Sequence, residues 1–313
     1  MDLSVIIVSY RGWRKLSGCL EALEKFTQSA FSMEVIIADN NSNDGNIHEF
    51  EKRFTSFRFL RNEVNGGFAY GCNRGASVAS GNTLMFLNPD TIVSEKEIGR
   101  LLQNIEQSKK YNTIISCRQI SENGKEIRAY GRFPGLYCPA LVPKRNIQNV
   151  FHPDWVSGSL MMMTKETWVS MGGFDESYWM YYEDVDLCRR LRNAGGEIVF
   201  YNDITIRHDH GGSSRINLTT AAITKAEVQA SRHLYIHKHL TGYRKLVLHS
   251  ITIADNLLAG TISAAAGLIF FFIPKLFVRV LVLARLAGYY GGVLSERSWM
   301  SRRSVLYRRQ HGK

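Results

Sequence analysis

Short apolar runs alternate with helical periods over the first ninety residues of this 313-residue chain. Leu3–Ser9 is nearly continuous in apolar residues, as a strand buried on both faces requires. Leu16, Cys19, Leu20 and Leu23 then recur at helical spacing. Residues 34–38 predict a second buried strand that runs into Asp39-Asn40-Asn41-Ser42. Residues 57–60 and Thr83–Leu87 predict a third and a fourth. Helical patterns fall between them, at residues 47–54 and 68–79. Strands alternating with helices predict right-handed βαβ units and a parallel sheet covered on both faces. Ligands of such sheets bind beyond the carboxyl ends of the strands, so polar residues there carry the functional reading.

Three ends stand out: Ser9-Tyr10-Arg11, Asp39-Asn40-Asn41-Ser42 and Asn88-Pro89-Asp90. An Asp at a strand end can accept from a pyrimidine ring N–H or a ribose hydroxyl. Asp90, after a proline-stiffened turn, can hold a divalent metal bridging two phosphates. The plainer alternative is that Asp39 and Asp90 cap helices or close Asx turns. Residues 65–75 form a glycine-rich turn opening a helix, where backbone can approach a ligand and the helix terminus favours phosphate. The nucleotide-binding candidates are therefore Ser9, Tyr10, Asp39, Asn41, Gly67, Phe68, Asn73 and Asn88. No G-x-G-x-x-G follows the first strand and no G-x-x-x-x-G-K-[ST] occurs, which argues against a standard NAD fold and a P-loop.

The acidic cluster Glu183-Asp184-Val185-Asp186 opens a helix-like basic run, and His208 ends an alternating segment further on. A carboxylate that takes a proton and a histidine that binds a metal point to group transfer on a charged substrate. Acids in a first helical turn also stabilise the helix dipole; Asp186 fits that structural part best, and Glu183 that of holding Asp184. His208 could instead be a solvated loop histidine, and His210 is the second candidate ligand. Trp179, Met180, Tyr181 and Tyr182 read as an aromatic strand before the acids, either a sugar platform or core. Residues 119–154, with Gly124, Gly131, Pro134, Gly135, Pro139 and Pro143, read as an irregular, acceptor-facing insertion.

Beyond Ser214 the pattern changes. Residues 221–240 read as a helix. Residues 256–274 carry no charge, the threshold length for a membrane span. Lys275, Arg279 and Arg285 then share about a third of a helical circumference, the pattern of a basic helix lying in a membrane interface. The tail adds Arg302, Arg303, Arg308, Arg309 and Lys313, each worth roughly 1 kcal/mol beside anionic lipid. Basic residues flank the apolar stretch on both sides, with Arg244 and Lys245 ahead of it. A single span conflicts with the positive-inside tendency, so monotopic or re-entrant attachment is favoured. The alternative is a soluble helical pair packed on the rest of the chain or on a second copy, giving a homo-oligomer. The net charge of +11 predicts an anionic partner. Its concentration beside apolar stretches suits lipid and argues against nucleic acid. Five scattered cysteines without metal-ligand spacing predict reduced thiols in a cytosolic compartment. MDLSVIIVSY predicts a first strand rather than a signal peptide.

The segments VIIVSYRGW, VIIADNNSNDG, NEVNGGFAYGCNRG, LNPD and GGFDESYWMYYEDVDLCRR, followed by His208, occur in an order that resembles family 2 glycosyltransferases. The bacterial rhamnosyltransferase-type branch is the most similar, over residues 3–214. The resemblance implies an α/β GT-A fold: a Rossmann-like, nucleotide-binding mixed sheet flanked by helices. It implies a catalytic domain at 1–214, and the change of pattern beyond it reads as a helical, membrane-associating region at 215–313. It also implies that Asp39 contacts base or ribose, that Asp90 survives from a D-x-D metal motif, and that Asp184 is the general base of an inverting transfer. His208 becomes a further metal ligand or diphosphate contact. The implied cofactor is Mg or Mn, the donor a nucleoside-diphosphate sugar, with dTDP-rhamnose favoured. The acceptor is a polyprenyl-diphosphate-linked saccharide at the cytoplasmic face of the inner membrane, in surface-polysaccharide synthesis. Asn88 departs from the motif by replacing a carboxylate, which lowers the expected metal affinity. Two rival readings remain: a nucleotidyltransferase making a sugar nucleotide, which lacks its basic glycine loop here, and a non-catalytic membrane- or nucleic-acid-binding protein.

Overall fold

The computed structural model describes residues 1–26, 30–108, 112–135, 148–209 and 217–312. The chain forms two compact units. The first holds the described residues within Met1–Phe133, Pro139–Asp175 and Asp184–Ser213; the second is chiefly Glu176–Glu183 and the chain from Ser214 onward.

The first unit is built on β1 (Leu3–Ser9), α1 (Trp13–Glu24), β2 (Met33–Asp39), α2 (Asn46–Arg53), β3 (Arg58–Arg61), α3 (Gly67–Ser77), β4 (Thr83–Leu87), β5 (Thr91–Ile92) and α4 (Glu95–Glu106). It continues through β6 (Thr113–Ile120), the short β7 (Glu126–Ile127), β8 (Tyr130–Gly131), β9 (Val150–Phe151) and β10 (Trp155–Val156), then β11 (Leu160–Thr164), α5 (Lys165–Ser170), α6 (Glu183–Asn193) and β12 (Glu197–His208). The main sheet runs β3-β2-β1-β4-β11-β6-β12-β5. β1 to β4 are parallel, β11 is antiparallel to both β4 and β6, and β12 is parallel to β6. The carboxyl ends of β1, β2, β4, β6 and β12 and the start of β11 therefore share one edge. The expected mixed sheet flanked by helices is present.

Alternate residues of β1 feed opposite faces, which is why the run is apolar throughout. Val5 and Ile7 join a core with α1 and α4, while Ile6 joins another with α3 and α6. α3 lies unusually close to β1: a Cβ on Gly75 would stand 2.5 Å from Ile6 Cγ2, and one on Gly71 2.6 Å from Val8 Cγ1. These two glycines serve packing, while Gly67 at φ 87° starts the helix. Gly75→Ala is expected to cost about 1–3 kcal/mol by overpacking, read in a thermal melt at about 2–4 °C per kcal/mol.

Two readings are corrected in this unit and its neighbour. Residues 119–154 are less irregular than expected, since β6 runs to Ile120 and β7, β8 and β9 follow; residues 136–147 lie outside the described ones. The aromatic run before the acids is not a strand. Tyr181 and Tyr182 take left-handed φ values of 69° and 66°, which breaks extended backbone and costs on the order of 1–3 kcal/mol each.

The second unit contains α7 (Leu218–His239), α8 (Gly242–Ile269), α9 (Pro274–Glu296) and α10 (Val305–Gln310). α8 and α9 form an antiparallel hairpin: Gly260 meets Leu283, and Arg279 donates to Ser263 Oγ at 3.2 Å. The apolar stretch 256–274 is thus not one span. It is cut by a turn, and Pro274 takes the first position of α9, where its missing N–H costs nothing. Both helices are long and apolar enough to cross a membrane by length and composition.

Candidate active site

The shared strand edge collects most of the residues singled out by the sequence. Thr91 and Ile92 pair antiparallel with His208 and Arg207. That short ladder brings the end of β12 against the Asn88-Pro89-Asp90 turn. His208 Nε2 lies 3.1 Å from Asp90 Oδ1, and Asp209 N donates to Asp90 O at 2.8 Å. Both side chains are almost wholly buried, with His208 1% and Asp90 9% exposed. His208 Nδ1 is 2.7 Å from Gln119 Oε1, which also accepts from Ser159 Oγ at 2.9 Å. Ser159 Oγ lies 3.0 Å from Ser157 Oγ.

Between those two serines, Gly158 N donates to Asp184 Oδ2 at 3.0 Å, and Val185 N donates to Asp184 Oδ1 at 2.8 Å. The turn 157–159 therefore joins Asp184 to the Asp90–His208 pair through consecutive hydrogen bonds. A Cβ on Gly158 would stand 3.0 Å from Phe68 Cε1 and 3.7 Å from Asp184 Cβ. Phe68, at the start of α3, thus closes over the same turn. Enclosure of the Asp184 carboxylate pushes its pKa above the ordinary range, against the opposing pull of its backbone N–H partners. A raised pKa makes it the stronger base.

With Gln119 oriented in this way, Nδ1 carries the donated proton and Nε2 turns its lone pair toward the carboxylate. A proton or cation between Nε2 and Oδ1 makes that arrangement favourable. The opposite amide orientation would place the imidazole proton on Nε2, so Gln119 governs which nitrogen is open to a metal. One carboxylate oxygen and one imidazole nitrogen suit Mn²⁺ better than Mg²⁺. Among the described residues no group of three or more His, Cys, Asp or Glu could hold a metal, so substrate phosphates and water would complete the shell. His210 lies outside the described residues. Gln119→Leu leaves the ring unsupported and is expected to weaken metal-dependent binding about 10–100-fold, measurable by titrating manganese against bound nucleotide.

The remaining candidates divide. Asp39 sits beside Ser9 in register, and Ser42 engages both its oxygens, through N at 3.0 Å and through Oγ. Burial raises its pKa. Its carboxylate closes a local turn onto a residue three positions on, with 4% of its surface left open. Asn41, at φ 58°, donates to Glu63 O at 2.9 Å. Ser9 Oγ is buried without a hydrogen-bond partner among the described residues, and Tyr10 carries the Arg11 guanidinium 5.3 Å from its ring centroid. Asn88 N donates to Ser159 O at 3.0 Å, which ties the turn to β11. Asn73 is structural: its amide clasps Phe174 N at 3.0 Å and Phe174 O at 2.8 Å. Asp186 is structural too, holding Arg190 at 2.8 Å while that guanidinium binds Met171 O and Gly173 O. Glu183 is buried at the first position of α6. Gln119, Ser157, Gly158, Ser159 and Lys15, whose Nζ reaches Asp209 O at 3.2 Å, were not legible as site residues.

The pattern of Glycosyl transferase family 2 matches residues 4–188. The chain belongs to that family. It is 30% identical over 154 residues to Rhamnosyltransferase WbbL of Escherichia coli K12, covering 42% of this chain and 58% of that protein. It is 27% identical over 202 residues to the low-salt glycan biosynthesis hexosyltransferase Agl10 of Haloferax volcanii, covering 61% and 62%. It is 26% identical over 239 residues to the N-acetylglucosaminyl-diphospho-decaprenol L-rhamnosyltransferase of Mycobacterium tuberculosis, covering 68% and 77%. The chain thus spans less than two thirds of the first two relatives. Among solved structures, GalNAc-T7 with UDP, GalNAc and Mn²⁺ superposes with a TM-score of 0.55 at 17% identity, over 77% of this chain and 52% of that one. S. aureus TarS 1–349 in complex with UDP-GlcNAc gives 0.51 at 15%, over 82% and 73%. Such likeness defines the fold, GT-A, and nothing finer.

Proposed function

We propose that this protein transfers a sugar, with inversion, from a nucleoside diphosphate to a lipid-linked saccharide. The observation that carries the reading is the hydrogen-bonded path joining Asp184 to Asp90 and His208 through the turn 157–159. An acceptor hydroxyl attacks the anomeric carbon, the bond from that carbon to the diphosphate oxygen breaks, and the hydroxyl proton passes to the Asp184 carboxylate. Asp90 and His208 would hold a divalent metal, which supplies charge stabilisation for the departing diphosphate. Lys15 brings a cation to the same end of β12. Family membership and the relatives named rhamnosyltransferases support rhamnose as the transferred sugar, and dTDP-rhamnose is the donor proposed for it. The mycobacterial relative's name supports a polyprenyl-diphosphate acceptor.

Transfer requires ionised Asp184, so the rate is lost as pH falls through its raised pKa. The acid limb of kcat/KM is expected above the ordinary Asp value of about 3.9. A profile flat down to that value would remove Asp184 from the role.

The helical hairpin supports attachment to the cytoplasmic face of the inner membrane. Its tip exposes Phe270, Phe271, Phe272 and Ile273, with Phe271 and Phe272 each 68% exposed. Lys275 follows at once, so the tip enters only as far as a lysine stem can snorkel, which favours a re-entrant mode over a span. Phe271→Glu with Phe272→Glu removes about 3–6 kcal/mol of apolar transfer and is expected to lower vesicle binding at least about 100-fold in sedimentation. Unchanged binding would refute the tip as the anchor.

A further inference from the structure

A cleft of about 250 Å³ opens in the helical unit, floored by α7 and α9 and closed by residues 298–303. It is too small for a nucleotide sugar, since ligand pockets run from about 300 to 1,000 Å³, but it has room for a head group. Its charges are arranged for a ligand of mixed character. Arg285 lines it and, among the described residues, makes no hydrogen bond or ion pair. Arg303 Nε stands 3.6 Å from Glu227 Oε1, beyond hydrogen-bonding distance. Glu227 is itself 8% exposed; Ser301 hydrogen-bonds to it and Arg303 and Arg285 attract it, while its Oε2 is buried with no hydrogen-bond partner among the described residues. An orphan carboxylate oxygen in an arginine-lined cleft calls for a donor as well as an anion. Gly288, on the α9 wall, leaves the backbone approachable, whereas the Arg302 guanidinium covers Gly292.

We infer that this cleft binds a phospholipid head group, its phosphate on Arg285 and Arg303 and an ammonium or hydroxyl donor on Glu227. The inference rests on the membrane reading of the hairpin and adds to it a defined recognition site. The same α9 carries the hairpin tip at its other end, so a lipid held there would sit beside the inserted helices.

The test compares full-length protein on phosphatidylcholine vesicles and on vesicles enriched in phosphatidylethanolamine. Both carry no net charge, so the basic protein has no surface potential to respond to, and only the ethanolamine group offers N–H donors. The parent protein is expected to bind the ethanolamine vesicles at least about fivefold more tightly, as a charge-assisted hydrogen bond allows. Glu227→Gln and Arg285→Lys, the latter keeping charge but losing the fork, should both lose that preference while keeping the hairpin tip. Glycerophosphoethanolamine should compete and inorganic phosphate at equal concentration should not. A preference that survives in both variants would assign it to lipid packing and overturn the inference. Equal competition by inorganic phosphate would overturn it in favour of a general anion site. Equal binding to the two vesicles would overturn it while leaving the membrane reading intact, whereas no binding to either would remove both.

Discussion

Asp184→Asn is expected to lower turnover about 10²–10⁴-fold, the range for a lost general base, with donor affinity nearly unchanged. Asparagine keeps the shape and one of the two backbone hydrogen bonds, from Gly158 or Val185. It removes the basicity that accepts the acceptor's proton. Donor binding should survive because the donor-side residues, Asp90 and His208, are reached only through the turn 157–159 and keep their own contacts. Single-turnover transfer and equilibrium donor binding, measured on the same preparation, separate the two effects. Near-parental turnover would mean that another group takes the proton, whatever the quality of the surrounding geometry.

The second large effect falls on the donor. Asp90→Ala removes the carboxylate that faces His208, and with it the charged ligand a hard cation prefers. Manganese-dependent affinity for the nucleoside diphosphate is expected to fall at least about 100-fold, more than for loss of Gln119, which only supports the imidazole. His208→Ala should cost less, since imidazole is neutral and phosphate oxygens can replace it. Calorimetric titrations with manganese and with a chelator decide the matter. If the parent protein binds the nucleotide equally in both, Asp90 and His208 do not hold a metal.

β1 and β4 were legible because each is a nearly continuous apolar run. β1 and β4 fall where the pattern places them, and α1 and α3 follow from spacing. The fold of the site was harder. β11 lies between β4 and β6 although it comes after both in the chain, and nothing in the run of methionines at 161–163 announces an antiparallel partner for β4. Gln119, Ser157 and Ser159 matter only because that strand brings its start beside Asn88. Their residue types are ordinary in any loop. Asn73 shows the reverse: a polar residue in a glycine-rich helix looks like a ligand contact until Phe174 arrives from 101 residues away. Tyr181 and Tyr182 looked extended because aromatic residues favour strands; their left-handed backbone depends on tertiary support that propensity does not encode. The C-terminal break was readable at Pro274, but the apolar stretch ran on past the end of α8 at Ile269, because the turn residues are as apolar as the helix.

The measurement that reaches the central claim most directly follows both products of one reaction: a radiolabelled nucleoside-diphosphate sugar panel offered to the full-length protein with a membrane lipid extract. The account predicts that label enters the organic-extractable fraction from dTDP-rhamnose, with nucleoside diphosphate released in equal amount, and that Asp184→Asn abolishes both. No label in lipid from any donor of the panel, with no nucleoside diphosphate released, would contradict it.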